Sequence, residues 1–281
     1  MPASIEEILD SHKTRRTVLM GVLNVTPDSF SDGGKFMDPA AAKDQAARMV
    51  AEGADILDVG AESTRPGSDP VTPGDQISRL EGILPEIAGL GAVVSIDTTS
   101  AAVAEFALDC GAQIINDVSA GTMDEAIIPL AASRDASMVL MHMLGKPKTM
   151  QSQPHYRDVV LEVRNFLEER LQVAEKMGLP RSRCIVDPGI GFGKRLEHNL
   201  SLLAGVGILA GLGCPVLVGP SRKRFIGELT SQEDPNKRLA GTIAACVEAR
   251  RRGATIIRVH DLAAASDALK VALAIESAEQ A

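Results

Sequence analysis

From Thr17 onward, short runs of β-branched and aliphatic residues alternate with longer stretches of mixed apolar and polar positions. The runs predict strands over Val18–Val25, Ile56–Gly60, Val93–Asp97, Gln113–Asp117, Ser137–His142, Cys184–Asp187, Pro215–Gly219 and Thr255–His260. The longer stretches include Pro39–Ala51, Ser100–Ala107, Tyr156–Lys176, Leu200–Ala210 and Asn236–Arg252, and they carry the pattern of amphipathic helices. Gly53, Gly111, Gly178 and Gly253 each fall between a helical stretch and the next strand, where a helix stop belongs. Strands alternating with helices predict βαβ units on a parallel sheet. Eight strands with no long linker favour a single-domain (β/α)₈ TIM barrel over an open doubly wound sheet. The barrel is expected over residues 17–281, with residues 1–16 as an N-terminal extension.

Polar residues interrupt this pattern at particular places. Asn24, Asp58, Asp97, Asn116, His142, Asp187, Arg258 and His260 sit in the last part of a predicted strand or just after it. One such residue is ordinary turn chemistry. On nearly every strand they converge, because a barrel builds its site at the C-terminal mouth.

Composition narrows the partners. The 281 residues are 45% hydrophobic but only 2% aromatic, so the core must be aliphatic. A net charge of −8 disfavours nucleic acid and anionic membranes, and an anionic substrate would need a local basic cluster. Cys110, Cys184, Cys214 and Cys246 show no metal or disulfide spacing, and the N-terminus lacks the apolar stretch of a secretion signal. A cytoplasmic enzyme for small molecules is the expectation.

The candidate chemistry lies in five segments. LNVTPDSFSDGG (Leu23–Gly34) and GAESTRPGS (Gly60–Ser68) are polar, Gly- and Pro-containing strand-end loops able to close over a substrate. Asp97, Asn116 and Asp187 offer acceptors and an amide to a flat pyrimidine edge rich in N–H donors. SRKR, at Ser221–Arg224, follows the seventh strand and Arg258 and His260 end the eighth, the usual phosphate corner of a barrel. Lys223 and Arg258 belong at the mouth, whereas Arg222 and Arg224 can equally be solvated surface charges. GIGFGK (Gly189–Lys194) has neither the Rossmann nor the Walker spacing, and reads as a pocket loop with Phe192 as a stacking wall.

Taken together, LNVTPDSFSDGG, GAESTRPGS, SIDT, IINDVSAG, DPGIGFGK, SRKRFIG and IIRVHD resemble the dihydropteroate synthase family, in register from Thr17 to about Leu262. The resemblance implies condensation of a pterin pyrophosphate with p-aminobenzoate, a homodimer, Mg²⁺ as cofactor, and inhibition by sulfonamides. It implies that Asp97, Asn116, Asp187 and Lys223 hold the pterin and that Arg258 stacks on it, with Asp97, Lys223 and Arg258 serving catalysis. Asn24, Thr64, Arg258 and His260 would bind pyrophosphate, Asn24 also meeting the metal. Thr64, Arg65, Pro66, Phe192 and Ser221 would border p-aminobenzoate. The alternatives are the pterin-binding domain of a methyltransferase and a non-catalytic pterin- or folate-binding paralogue.

Overall fold

A computed structural model describes residues 4–14, 16–26, 39–62, 70–145, 150 and 154–279. Among them, eight parallel strands form the sheet: β1 (Val18–Asn24), β2 (Ile56–Gly60), β3 (Val93–Asp97), β4 (Ile114–Asp117), β5 (Ser137–Met141), β6 (Cys184–Asp187), β7 (Leu217–Val218) and β8 (Ile256–Val259). Their order is β6-β5-β4-β3-β2-β1-β8-β7. A parallel bridge between Val186 and Val216, with Val186 N–H donating to Pro215 O at 3.0 Å, closes β6 onto the β7 segment. The expected eight-stranded barrel is therefore present. Its weakest seam falls where Pro215 offers no N–H and Gly219–Pro220 ends the run, which cuts the expected Pro215–Gly219 strand to two residues.

Thirteen α-helices accompany the strands among the described residues. They are α1 (Ile5–Leu9), α2 (Ser11–Thr14), α3 (Pro39–Ala51), α4 (Pro73–Leu80), α5 (Leu84–Ile87), α6 (Ala101–Asp109) and α7 (Ile127–Ser133). The chain continues through α8 (Val159–Lys176), α9 (Leu196–Ala204), α10 (Val206–Ala210), α11 (Arg224–Thr230), α12 (Leu239–Arg251) and α13 (Leu262–Glu279). Four expected helices change at their ends or middle; the Ser100–Ala107 stretch runs Ala101–Asp109. The Leu200–Ala210 stretch is two helices, broken at Gly205, where a Cβ would meet Val160 Cγ1 at 2.7 Å. α8 starts at Val159, not Tyr156, because the Asp158 side chain caps the N–H groups of Val160 and Leu161 at 3.1 Å each. α12 starts at Leu239, since 235–237 form a 3₁₀ turn instead. Gly53, Gly111, Gly178 and Gly253 all take positive φ, 93° to 115°, as expected of helix stops.

The period-2 alternation of the strands sorts side chains into two cores. Outward residues such as Leu57, Ile96, Ile115, Leu140 and Val186 pack beneath the helices. Inward residues Val18, Met20, Ile56, Val93, Ile114, Val139, Ile185, Leu217 and Ile256 fill the lower barrel. Residues 4–14, which fall in the extension expected over 1–16, pack against this layer. Ser4 and Glu7 cap α1 reciprocally, at 3.2 and 2.9 Å, and α1 delivers Ile8 and Leu9 into the inner cluster. Ser11 Oγ ties α2 to Thr255 Oγ1 at 3.0 Å. Among the described residues, the lower barrel is thus filled by buried side chains.

Ile8 is fully buried, so Ile8→Ala should cost about 2–4 kcal/mol by urea titration. A loss below about 0.5 kcal/mol would show that the extension is not part of the core.

Candidate active site

Above the apolar layer, the same inward positions turn polar. Asp58 stands two residues after Ile56, Asp97 four after Val93, Asn116 two after Ile114, Asp187 two after Ile185, and Arg258 two after Ile256. Each therefore points into the barrel. Asp58 is fully buried, and Asp97, Asn116 and Asp187 are 6%, 4% and 6% exposed. Arg258 bridges two of them: Nε donates to Asp58 Oδ2 at 2.7 Å and Nη2 to Asp97 Oδ2 at 3.0 Å. Asn116 Nδ2 donates to the same Asp58 oxygen at 3.0 Å. Asp58 Oδ1 and Asp97 Oδ1 are buried with no hydrogen-bond partner. Two spare acceptors in a dry site are costly unless a ligand supplies donors.

Burial, followed by the neighbouring Asp58 charge, pushes the Asp97 carboxyl up to about 7 against the pull of Arg258. Burial likewise raises Asp187 to about 6, opposed by the Gly189 N–H at 2.6 Å and by Lys223. On the basic side, Lys223 Nζ lies 4.2 Å from the centroid of the Phe192 ring. Ser221 Oγ meets His260 at both N–H (3.3 Å) and Nδ1 (3.0 Å), joining the β7 and β8 ends.

Arg222 is a structural part of this corner and not a solvated charge. Its guanidinium holds Asp261 through Nε at 3.0 Å and Nη2 at 2.6 Å, and Nη1 reaches Asn236 at 3.0 Å. Its N–H donates to Thr242 Oγ1 at 3.0 Å. These bonds hold a non-glycine residue at φ 59°, the left-handed region, which turns Ser221 and Lys223 toward the mouth. Arg224, 86% exposed and paired with Glu228 at 2.8 Å, is the surface charge the sequence allowed.

Asp97, Asn116, Asp187, Phe192, Lys223 and Arg258 line one cavity, together with Val118, Met141, Gly189, Ile190 and Gly219. Its free volume is only about 20 Å³, room for about one water, and Arg258 is part of its wall. Ser221 and His260 stand beside it, and Asn24 ends β1 between β2 and β8, next to Gly60. Thr64, Arg65 and Pro66 lie outside the described residues, as does most of each of the two polar loops. Asp58 is the residue whose part was not foreseen: the sequence marks it as a strand-end polar group without revealing that it anchors Arg258. A larger apolar cleft, about 360 Å³, lies among α9, α11 and α12. Among the described residues, Glu248 and Arg252 are the charged groups that line it.

The buried acceptors, the amide and the basic corner at the mouth of one barrel make a site able to meet N–H donors and an anion together. The sequence profile described as pterin binding enzyme matches residues 20–260. The dihydropteroate synthase of Synechocystis is 45% identical over 262 residues, spanning 93% of this chain and 91% of that one. The Xanthomonas albilineans dihydropteroate synthase solved with 4-aminobenzoic acid superposes with a TM-score of 0.87 at 44% identity, covering 93% of each chain. The Thermus thermophilus enzyme in complex with 6HMPPP gives 0.80 at 45%, covering 92% of this chain and 94% of that one. The chain belongs to the dihydropteroate synthase family of pterin-binding enzymes.

The raised Asp97 pKa has a consequence for stability. An unfolded Asp titrates near 3.9, so the folded state keeps a proton that the unfolded state has lost. The stability from that proton is full below about pH 4 and is lost as pH rises through about 7. Asp97→Asn removes this loss. Its melting temperature should exceed the wild type's by roughly 2–6 °C at pH 8 and by less at pH 5, read by scanning calorimetry. An Asn variant less stable than wild type at pH 8 would mean that pairing with Arg258 outweighs burial.

Proposed function

We propose that this chain condenses 6-hydroxymethyl-7,8-dihydropterin pyrophosphate with p-aminobenzoate, giving 7,8-dihydropteroate and pyrophosphate. The observation that carries the reading is the set of buried acceptors on Asp58, Asp97 and Asp187 around the Arg258 guanidinium. The 2-amino-4-oxo-pyrimidine edge of a pterin offers similar neighbouring N–H donors, so it can take the place of Arg258 against the carboxylates. Asn116 supplies an amide and Lys223 a cation to the same ring. Arg258, once displaced, can turn to the mouth beside His260, where the pyrophosphate lies.

The reacting carbon is a methylene between that ring and the leaving oxygen. Cleavage of the C–O bond leaves a cation delocalised into the pterin, and the ionised Asp97 stabilises it electrostatically. Arg258 and His260 balance the charge on the departing pyrophosphate. The aniline nitrogen of p-aminobenzoate then attacks as a neutral nucleophile and loses its proton afterwards, so no strong protein base is needed. Phe192 and Ser221 border its place. The filled lower barrel keeps water from the cation on that side.

Mg²⁺ fits this donor set. Among the described residues no cluster of three His, Cys, Asp or Glu groups could hold a metal, so a carboxylate-built cage is absent there. A single amide, Asn24, combined with substrate phosphate oxygens and water, suits an ion that dehydrates reluctantly. When bound, Mg²⁺ would neutralise charge on the leaving pyrophosphate.

A homodimer and a cytoplasmic setting complete the proposal. The apolar cleft among α9, α11 and α12 and the exposed Val271 and Ile275 of α13 support the first. The four unpaired cysteines support the second. Among the described residues no helix is long and apolar enough to cross a membrane. A non-catalytic paralogue finds no support in a site that keeps Asp97, Asn116, Asp187, Lys223, Arg258 and His260 together.

Pyrophosphate release should require both substrates. Asp187→Ala, which leaves the pyrimidine edge unpaired, should weaken pterin binding by about 2–4 kcal/mol in calorimetry. Unchanged pterin affinity in a folded variant would remove Asp187 from the site, and release independent of p-aminobenzoate would point to hydrolysis instead.

A further inference from the structure

The loop leaving β6 is held by side chains to which the reaction gives no part. Lys194, 3% exposed, donates through Nζ to Phe192 O at 2.9 Å and to His142 O at 3.2 Å, and lies 3.0 Å from His142 Nδ1. Tyr156 Oη donates to Gly193 O at 2.9 Å. Asn199 Oδ1 accepts the Gly191 N–H at 2.7 Å, while its amide is fixed on Arg195 O at 2.8 Å. Three successive backbone sites, at 191, 192 and 193, are thus pinned from three directions.

The glycines explain why pins are needed. Gly189, Gly191 and Gly193 have φ of 67°, 84° and 64°, so the loop takes a path open to glycine and loose by composition. It also lies against the end of β5, where a Cβ at Gly189 would come within 2.0 Å of His142 O. A buried lysine is an expensive way to fill space, and an aliphatic side chain would leave the two carbonyls unpaired. What the pins hold in common is Phe192, whose ring lies against Lys223 and lines the cavity.

We propose that Lys194, with Tyr156 and Asn199, is a positioning device that fixes the Phe192 ring as the wall of the p-aminobenzoate subsite. It thereby sets affinity for the second substrate without touching either one. This rests on the functional reading above. The clamp holds in either charge state of Lys194. The ammonium has three N–H donors for its three contacts, whereas a neutral amine keeps two for the carbonyls and accepts from the neutral His142 ring. Burial brings Lys194 down to about 7 and His142 down to about 3, so both forms of the lysine meet an uncharged imidazole.

The test is steady-state kinetics at pH 8.5, where Asp187 is ionised with or without the neighbouring lysine. Lys194→Met should raise KM for p-aminobenzoate about tenfold, the equivalent of one lost hydrogen bond at the wall. The pterin pyrophosphate KM should stay within about twofold. Tyr156→Phe removes one pin without opening a buried site, and should raise the p-aminobenzoate KM about threefold, again selectively. In a Phe192→Ala background, Lys194→Met should add less than about twofold, since no ring remains to be placed. Wild-type protein without p-aminobenzoate-dependent pyrophosphate release would defeat the functional reading itself. With an active wild type, an equal rise in both KM values in Lys194→Met and Tyr156→Phe overturns the positioning role alone. So does a full, additive loss on top of Phe192→Ala.

Discussion

The guanidinium of Arg258 between Asp58 and Asp97 is the interaction on which the site depends. Two carboxylates and an arginine share the centre of a barrel whose lower half is mostly aliphatic and buried. In that setting charges cannot be left to water, so each must find a partner within the protein or in a ligand. Arg258 meets part of the demand, and two carboxylate oxygens stay unmatched. The site therefore keeps acceptor capacity that the protein's own donors do not meet. In the proposed reading, a pterin edge supplies N–H donors to the same carboxylates when Arg258 turns away.

The rest of the fold serves to keep that centre dry and in register. α1 packs Ile8 and Leu9 against the bottom, and the inner residues of the strands form a mostly apolar layer above it, broken by the buried Ser137. Side chains standing on strands, such as Asp97, Asn116 and Asp187, inherit the rigidity of the sheet. Those on loops need separate supports, and the supports are visible. Arg222 and Asp261 hold the Ser221–Lys223 turn, and Lys194, Tyr156 and Asn199 hold the turn at Phe192. The barrel thus carries one set of polar side chains on rigid strands and another on braced loops.

Much of this was legible in the residues alone. Alternating strand and helix patterns predicted the barrel, and several strand limits, such as Ile56–Gly60 and Cys184–Asp187, fall as expected. Polar residues at strand ends marked the mouth, because period-2 alternation turns Asp58, Asp97, Asn116, Asp187 and Arg258 inward; His142, three residues after the inward Val139, instead meets Lys194. What was not legible depends on contacts between distant segments. Nothing in the spacing of Asp58 shows that it meets Arg258, 200 residues away. Lys194 looks like the end of a glycine loop until burial places it against His142. The break between α9 and α10 falls at Gly205, where Val160 leaves no room for a Cβ, and β7 is short because of the prolines on either side, a local signal that β-branched content masked.

The claim that a pterin takes the place of Arg258 can be watched at Arg258 itself. In ¹⁵N NMR of the free enzyme, its Nε–H, identified by its disappearance in Arg258→Lys, should exchange slowly with solvent because it is bonded to buried Asp58. Saturation with a pterin should release it, moving the resonance and speeding its exchange. An Nε–H signal that keeps its position and protection while the pterin binds would contradict the account, since guanidinium and ring would then occupy different places.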